Sequence, residues 1–372
     1  MSAFARRIVD WQARHGRHDL PWQGTRDPYR IWLSEVMLQQ TQVGTVIPYY
    51  RRFVEVFPDV AALAAAPVDE VMRLWSGLGY YSRARNLHRC ARQVVATHGG
   101  VFPCDPRLLA DLPGIGRSTA AAIAVFSRGV RAAILDGNVR RVLCRVFGVE
   151  GWPGQAAVER ALWSLAEREL PATGIEAYTQ GMMDLGATVC TRHRPACDRC
   201  PVASLCAARR DGSVERLPAP RPSRATPLRS CRMFAIRRGD EWLIEKRPPT
   251  GIWGGLWSLP QGELRKEAGS DTTGLPPSSL GSDARRVAAA HGLELGPPRA
   301  LAAFVHAFTH FRLRIEPVVC ELAGVSAATA PGAVWLPFDE VADAALPRPI
   351  KRLLQSPELL QPPEVLRVGA CA

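Results

Sequence analysis

The spacing of apolar residues changes once along this chain, and that change restricts the folds open to it. From residue 1 to about 206 apolar residues recur at helical spacing, as in VERALWSLAEREL (158–170), with breaks at Pro58, Pro67, Gly99-Gly100 and Pro171. No run of alternating strands interrupts this part. After residue 230 alternation takes over. CRMFAIRRGDEWLIEKR reads as two strands about a Gly239-Asp240 turn, and WSLPQGEL, FVHAFTHFRLRIEPVVCEL and AVWLPFDEV read as further strands. SDARRVAAAHG and PRPIKRLLQ read as helices, and GSDTTGLPPSSLGS as a surface loop. Between the two regimes, residues 207–229 are rich in Pro and Arg and poor in large apolar side chains, the composition of a linker. The expected architecture is multidomain: an all-α domain over 1–206, then a smaller α+β domain over 230–362. A length of 372 residues suits two or three domains with sizeable cores.

Charge narrows the partners. The chain carries a formal net charge of +12, which favours a polyanion, most simply nucleic acid. With 47% hydrophobic and 22% charged residues it is not a disordered chain. No apolar run is long enough to span a bilayer, so no membrane association is expected. The first residues, MSAFARRIVDWQARHG, are amphipathic and lack the apolar core of a secretion signal. An intracellular address follows, and with it reduced thiols rather than disulfides. Lysine occurs only at Lys246, Lys266 and Lys351, so the helical region has none.

Four stretches carry chemistry. Cys190, Cys197, Cys200 and Cys206 stand as C-x6-C-x2-C-x5-C, close enough for four thiolates to hold one metal centre. The spacing leaves zinc and a [4Fe-4S] cluster both open. In LPGIGRSTAAAIAVF (112–126), Gly114 and Gly116 make a tight hairpin before a helix whose N-terminal N–H groups suit a phosphate. In ILDGNVRRVLCRVF (134–147), Asp136 stands where a helix N-cap belongs, about twenty residues after Gly116. In WLSEVMLQQTQV (32–43), Glu35, Gln39 and Gln42 share one stripe if the helix is continuous. Such a stripe is either a solvated face or the wall of a cleft. In a cleft, apolar walls would raise the carboxyl pKa, and a second carboxyl from Asp136 would make an acid pair with split roles.

Together with GLGYYSRARNLH (77–88), these motifs resemble the MutY adenine DNA glycosylase family, in family order and across essentially the whole chain, including a C-terminal Nudix-like domain. The resemblance implies a helix-hairpin-helix glycosylase domain with a [4Fe-4S] cluster on Cys190, Cys197, Cys200 and Cys206, in the loop 190–206. It implies excision of adenine mispaired with 8-oxoguanine or guanine in double-stranded DNA, with the base flipped out. It assigns Glu35 as the acid that protonates adenine and Asp136 as the carboxylate that stabilises the cationic sugar. Gln42 and Tyr80 match residues that wedge into the duplex. Gly114, Gly116 and Ser118 match the hairpin that meets DNA. Trp22 and Gln180 are candidates for the adenine pocket. Phe308, Thr309 and His310 match the loop that reads 8-oxoguanine. The chain is expected to act as a monomer. Its arginine-for-lysine bias fits a GC-rich bacterial genome, hence a cytoplasmic, nucleoid-associated enzyme.

Three departures matter. The sibling endonuclease III glycosylase/lyases use a lysine in the hairpin helix as amine nucleophile. Here that position is Ser118, so a monofunctional glycosylase is expected over a lyase, and over a non-enzymatic iron–sulfur DNA-binding protein. The segment where a catalytic Nudix box would place its glutamates reads SDARRVAAAHG, without any, so triphosphate hydrolysis is not expected. Thr309 stands in place of the family's usual serine; it keeps the hydroxyl and adds a methyl.

Overall fold

Two kinds of local order follow from the two regimes. The computed structural model describes residues 1–222, 226–266, 274–325 and 332–360. The proposed domain end at 362 and residues 269–273 of the expected surface loop lie outside them. Contacts divide the chain into one unit of Met1–Val71 with Ser82–Ser223 and a second of Met72–Tyr81 with the residues from Arg224 onward.

The first regime forms helices α1 (Ala3–His15), α2 (Pro28–Leu38), α3 (Val43–Val56), α4 (Val60–Ala65), α5 (Val68–Trp75), α6 (Ser82–His98), α7 (Pro106–Ala110), α8 (Arg117–Arg128), α9 (Gly137–Phe147), α10 (Ala156–Arg168), α11 (Ile175–Thr188) and α12 (Ala207–Arg210). Local chemistry sets their starts. Asp27, Asp59, Asp105 and Asp136 each accept a hydrogen bond from an N–H of the following turn. Helices α1, α9, α10 and α11 bury one core, in which Ile8, Val142, Leu143, Leu162 and Leu185 are wholly enclosed. Among the described residues no helix is long and apolar enough to cross a membrane.

Between α7 and α8 runs the Gly-x-Gly hairpin. Gly114 takes φ +79, where side chains are rarely tolerated, and a Cβ there would lie 2.7 Å from the Asn86 Cβ on α6. Gly116 is the residue before α8, which starts on Arg117.

The segment after the cysteines differs from its linker-like composition. Residues 207–217 pack as ordered structure: Ala208 and Leu217 are buried, and the carbonyls of Val214 and Leu217 accept hydrogen bonds from Arg145 at 3.0 and 2.8 Å. Composition registers few apolar side chains there, but not the backbone carbonyls that one buried arginine holds.

In the second unit β1 (Leu228–Arg238) and β2 (Glu241–Lys246) form the expected hairpin, with Arg238 paired to Glu241. The sheet continues through β3 (Trp257–Ser258), β4 (Arg265–Lys266), β5 (Leu293–Leu295), β6 (Arg299–Ala300), β7 (Phe304–Ala307), β8 (Arg312–Val325) and β9 (Ala333–Pro337). Its main order is β3-β2-β1-β8-β5, with β1 and β8 parallel from Leu228↔Arg312 to Arg237↔Glu321. Helix α13 (Leu280–His291) lays Ala284 and Val287 on Phe234, Ile236 and Val318. It begins inside the stretch expected as loop. Helices α14 (Arg348–Leu354) and α15 (Pro357–Leu360) end the described chain. Under α13, Arg232 is buried and donates to Asp283, to Ser279 Oγ at 2.6 Å and to the Pro276 carbonyl at 2.8 Å.

Replacing Gly114 by alanine adds a methyl against Asn86 in a left-handed backbone. The expected cost is about 1–3 kcal/mol, read as a lower denaturant midpoint; an unchanged midpoint would show that the hairpin relaxes freely around the methyl.

Candidate active site

Glu35 leaves a helix that is fixed on its other sides. Pro28 and the Asp27 cap start α2, and the Tyr29 hydroxyl donates to the Phe57 carbonyl at 2.6 Å. Trp32, Leu33 and Met37 are fully buried. The helix ends at Leu38, earlier than the continuous run through Gln42 that the stripe required. Gln39 is its C-cap, Gln40 takes φ +58, and Gln42 is the N-cap residue of α3. The cause is distant in sequence. Arg83 Nη1 donates to the Val36 and Met37 carbonyls, each at 2.8 Å, and Nη2 to Thr41 Oγ1 at 3.0 Å. A guanidinium thus satisfies the helix's last carbonyls and turns the chain. Glu35, Gln39 and Gln42 still face one cleft, but through a helix end and a turn rather than a helical stripe.

Asp136 is placed by its own helix. Its Oδ1 accepts the Val139 N–H at 2.8 Å, and its Oδ2 the Asn138 amide at 3.3 Å. The residue before it is held from α8, where Ser118 Oγ accepts the Leu135 N–H at 2.9 Å. Asn138 is fixed in turn by Arg141, whose Nη2 donates to Asn138 Oδ1 at 2.8 Å and to the Gly186 carbonyl at 2.6 Å. Gly186 is required there, because a Cβ would stand 2.5 Å from the Asn138 Cβ.

Glu35 and Asp136 line one cavity of about 1290 Å³, together with Trp22, Gln42, Ser118 and Gln180. Burial lifts the Glu35 carboxyl from 4.5 to about 8, and the Asp136 charge adds to the shift. Burial raises Asp136 as well, but the Val139 N–H, Arg141 and the Asn138 amide pull against it. Trp22 stands edge-on to Tyr50 with centroids 5.4 Å apart. Gln180 donates to Asp184 Oδ1 at 2.9 Å, and Arg17 grips the same buried carboxylate through its backbone N–H at 2.9 Å and Nε at 2.7 Å. The pocket therefore faces an amide whose NH₂ end is already engaged.

All four cysteines line a second, small cavity of about 20 Å³. Burial pushes the Cys200 thiol up to about 11, and the other three sulfurs add to the rise. Arg145 lies buried beside them. It donates to Cys190 Sγ at 3.3 Å and to the Thr191 carbonyl at 2.7 Å, while Cys206 Sγ donates to the Arg145 carbonyl at 3.4 Å. Arg141 Nε holds the Cys190 carbonyl at 2.7 Å. Sequence reasoning did not single out Arg83, Asn138, Arg141, Arg145 or Asp184. For Arg141 and Arg145 the available signal was their i, i+4 spacing on the helix that the Asp136 N-cap begins.

The remaining sequence candidates lie elsewhere. Gly114 and Gly116 form the hairpin before α8. Tyr80 groups with the second unit and is exposed at φ +48. Phe308, Thr309 and His310 sit in the turn between β7 and β8.

A hairpin-bearing helical domain with two carboxyls in one cleft places the chain among base-excision DNA repair enzymes. A model of the HhH-GPD superfamily base excision DNA repair protein matches residues 33–168, and a NUDIX domain model matches residues 232–356. Among solved structures, that of a thermostable thymine-DNA glycosylase superposes with TM-score 0.51 at 31% identity, covering 56% of this chain and 95% of that one. The adenine DNA glycosylase of Buchnera aphidicola subsp. Acyrthosiphon pisum (strain APS) is 32% identical over 355 residues, covering 95% of this chain and 97% of its own. That of Homo sapiens is 34% identical over 418 residues, covering 97% of this chain and 75% of its own. The chain belongs to the adenine DNA glycosylase family.

The shifted Glu35 has a consequence for stability. The folded protein holds this proton more tightly than the unfolded chain does. The stability it contributes is therefore complete below about pH 4.5 and is lost as pH rises through about 8. Glu35→Gln removes that loss, so above pH 8 the variant is expected to be the more stable protein, by up to about 5 kcal/mol. Thermal melts of both proteins from pH 5 to 9 check this; parallel curves would mean that Glu35 titrates normally.

Proposed function

We propose that this chain hydrolyses the N-glycosidic bond of adenine paired with 8-oxoguanine, or with guanine, in duplex DNA. The observation that carries the reading is the pairing of a carboxyl kept protonated to about pH 8 with a second carboxyl held by helix-cap donors in the same cleft. Adenine leaves poorly as an anion. Glu35 donates its proton to the base as the C–N bond lengthens, and adenine departs neutral. Positive charge develops on the sugar, and the Asp136 carboxylate stabilises it. A water then adds to the sugar carbon, and the ionised Glu35 accepts its proton, which restores the starting state. Trp22 supplies an apolar wall for the flipped base and Gln180 an amide carbonyl.

The other roles follow the same reading. The amides around Gly114 and Gly116 meet backbone phosphate, with Ser118 in the hairpin helix beside them, and Gln42 and Tyr80 enter the duplex. Residues 1–206 perform the chemistry and residues 230–362 read the lesion through Phe308, Thr309 and His310. In the hairpin helix Ser118 offers a hydroxyl already bonded to the Leu135 N–H, and the first lysine of the chain is Lys246. The product is an intact strand with an abasic site. The enzyme works as a monomer on bacterial DNA in the cytoplasm.

Cys190, Cys197, Cys200 and Cys206 fit a [4Fe-4S] cluster. The four thiols line one cavity and so can converge on a single metal group. Among the described residues Arg145 donates to carbonyls and to a cysteine sulfur, with no carboxylate, which suits a cation set against a net-negative iron–thiolate group. When bound, the cluster would cross-link the loop through metal–thiolate bonds to these four cysteines.

Incubation with an adenine:8-oxoguanine duplex is expected to give strand breaks at adenine only after alkali, and Glu35→Gln to lower the rate by about 10²–10⁴-fold with duplex binding retained. Breaks without alkali, or an active Glu35→Gln variant, would overturn the reading. Separately, the purified protein is expected to contain iron and acid-labile sulfide and to absorb in the visible, and Cys200→Ser to lose both. A colourless protein carrying stoichiometric zinc would refute the cluster assignment.

A further inference from the structure

The turn that presents Thr309 and His310 is built on an aromatic stack that neither the motif nor the proposed reaction explains. Strands β7 and β8 stay in register up to Ala307↔Arg312. The Phe308 N–H then donates to the Phe311 carbonyl at 2.9 Å, which leaves Thr309 and His310 as an exposed two-residue tip. Phe308 is held from both sides. It stacks on Phe311 with centroids 4.5 Å apart and planes 14° apart, and meets His306 edge-on at 4.7 Å. Trp253, from the separate loop between β2 and β3, closes the stack at 5.8 Å from Phe308 and 5.9 Å from His306.

Trp253 occupies that place at a cost. Its backbone takes φ +52, a conformation that a bulky side chain rarely adopts. The loop around it is tightly tied. The Arg247 N–H donates to the Leu256 carbonyl at 2.8 Å, the Gly255 N–H to the Pro248 carbonyl at 2.9 Å and the Leu256 N–H to the Trp253 carbonyl at 3.0 Å. Gly254 allows this, since a Cβ there would stand 2.6 Å from the Pro249 carbonyl oxygen. The indole is buried at 8% exposure. A strained, enclosed tryptophan against Phe308, a ring that flanks the exposed tip, behaves as a set-screw: its ring fixes where Phe308 lies, and Phe308 bears on the tip. Burial also lowers the His306 pKa, so the imidazole packs as a neutral ring at neutral pH.

We infer that Trp253 is a positioning residue for lesion choice, orienting the Thr309–His310 tip and thereby the preference for 8-oxoguanine over guanine opposite the excised adenine. This rests on the proposed reading of that tip. The two bases differ at one oxygen and one N–H, so a misplaced tip forfeits about one hydrogen bond, roughly tenfold in affinity.

The test uses the full chain with duplexes carrying a non-cleavable adenine analogue opposite 8-oxoguanine or guanine, and single-turnover excision on the matching cleavable duplexes. Trp253→Leu is expected to lower the 8-oxoguanine:guanine affinity ratio about tenfold, and Trp253→Phe to restore most of it. Should the leucine variant not fold, His306→Leu removes the other ring against Phe308 and carries the same expectation. A ratio unchanged, or both duplexes weakened equally, overturns the inference and leaves Trp253 as core packing alone. Thr309→Ala runs beside it. If that variant also leaves the ratio unmoved, the reading of the tip is what has failed; if it moves the ratio and the tryptophan variants do not, only the role of Trp253 falls.

Discussion

One capped helix start organises the catalytic unit. Asp136 accepts the Val139 N–H and so begins α9, a contact of the kind that contributes about 1 kcal/mol to a helix. Its larger effect is geometric. The cap requires a non-helical backbone at Asp136, so the carboxyl projects from the helix end into the cleft rather than along a flank. From there α9 runs to the cysteine loop, and its arginines do the joining. Arg141 spans Asn138, the Gly186 carbonyl and the Cys190 carbonyl, while Arg145 reaches Cys190 Sγ, Thr191, Val214 and Leu217. One rigid element thus connects the Asp136 carboxyl at its N-terminus to the thiol loop near its C-terminus, with Gly186 letting α11 approach closely.

The cleft then separates two acids by environment alone. Each carboxyl is raised by burial, but Asp136 sits among donors that favour its charged form, whereas Glu35 is pushed further by the Asp136 charge itself. Two carboxyls of similar intrinsic strength sit in different surroundings, and in the proposed reaction that difference makes Glu35 the acid and leaves Asp136, with its hydrogen-bond donors, to face the cationic sugar. The arrangement needs both residues. Without the Asp136 charge Glu35 would lose part of its shift, and without a protonated neighbour Asp136 would feel a second negative charge across the cleft.

Where sequence reading succeeded, the cause was local. The Asp136 cap, the Gly114 hairpin, the cysteine spacing and the change of period near residue 230 are each written within a few residues. Where it failed, the cause was a distant partner. Gln39-Gln40-Thr41-Gln42 contains neither Gly nor Pro, so nothing local stops α2 at Leu38; Arg83, far along the chain, does so by taking the Val36 and Met37 carbonyls. Residues 207–217 resemble a tether by composition, yet Arg145 binds two of their carbonyls and Leu217 is buried. Trp253 escaped notice for the same reason: its importance lies in a contact with the β7–β8 turn, and its positive φ has no sequence signature beyond the glycines beside it. Arginine is the common thread, because one guanidinium can satisfy several carbonyls that period and composition do not register.

The second unit applies the same device to a Nudix-like fold. A hydrolytic Nudix helix needs carboxylates free to hold a cation. In α13 the acidic residue is Asp283, and it is engaged by Arg232 and Arg286, while Glu316 on β8 lies 3.6 Å from Arg232 Nε. The buried guanidinium ties helix to sheet through these two carboxylates. Such a tie costs desolvation but tolerates no loss of either partner, so it holds the sheet in a single arrangement. In the proposed reading, recognition falls to a two-residue tip, Thr309 and His310, with the rings of Phe308, Phe311 and Trp253 packed behind it. A tip that reads one oxygen atom, as proposed, would require that rigidity, because discrimination by one hydrogen bond is lost once the donor can wander.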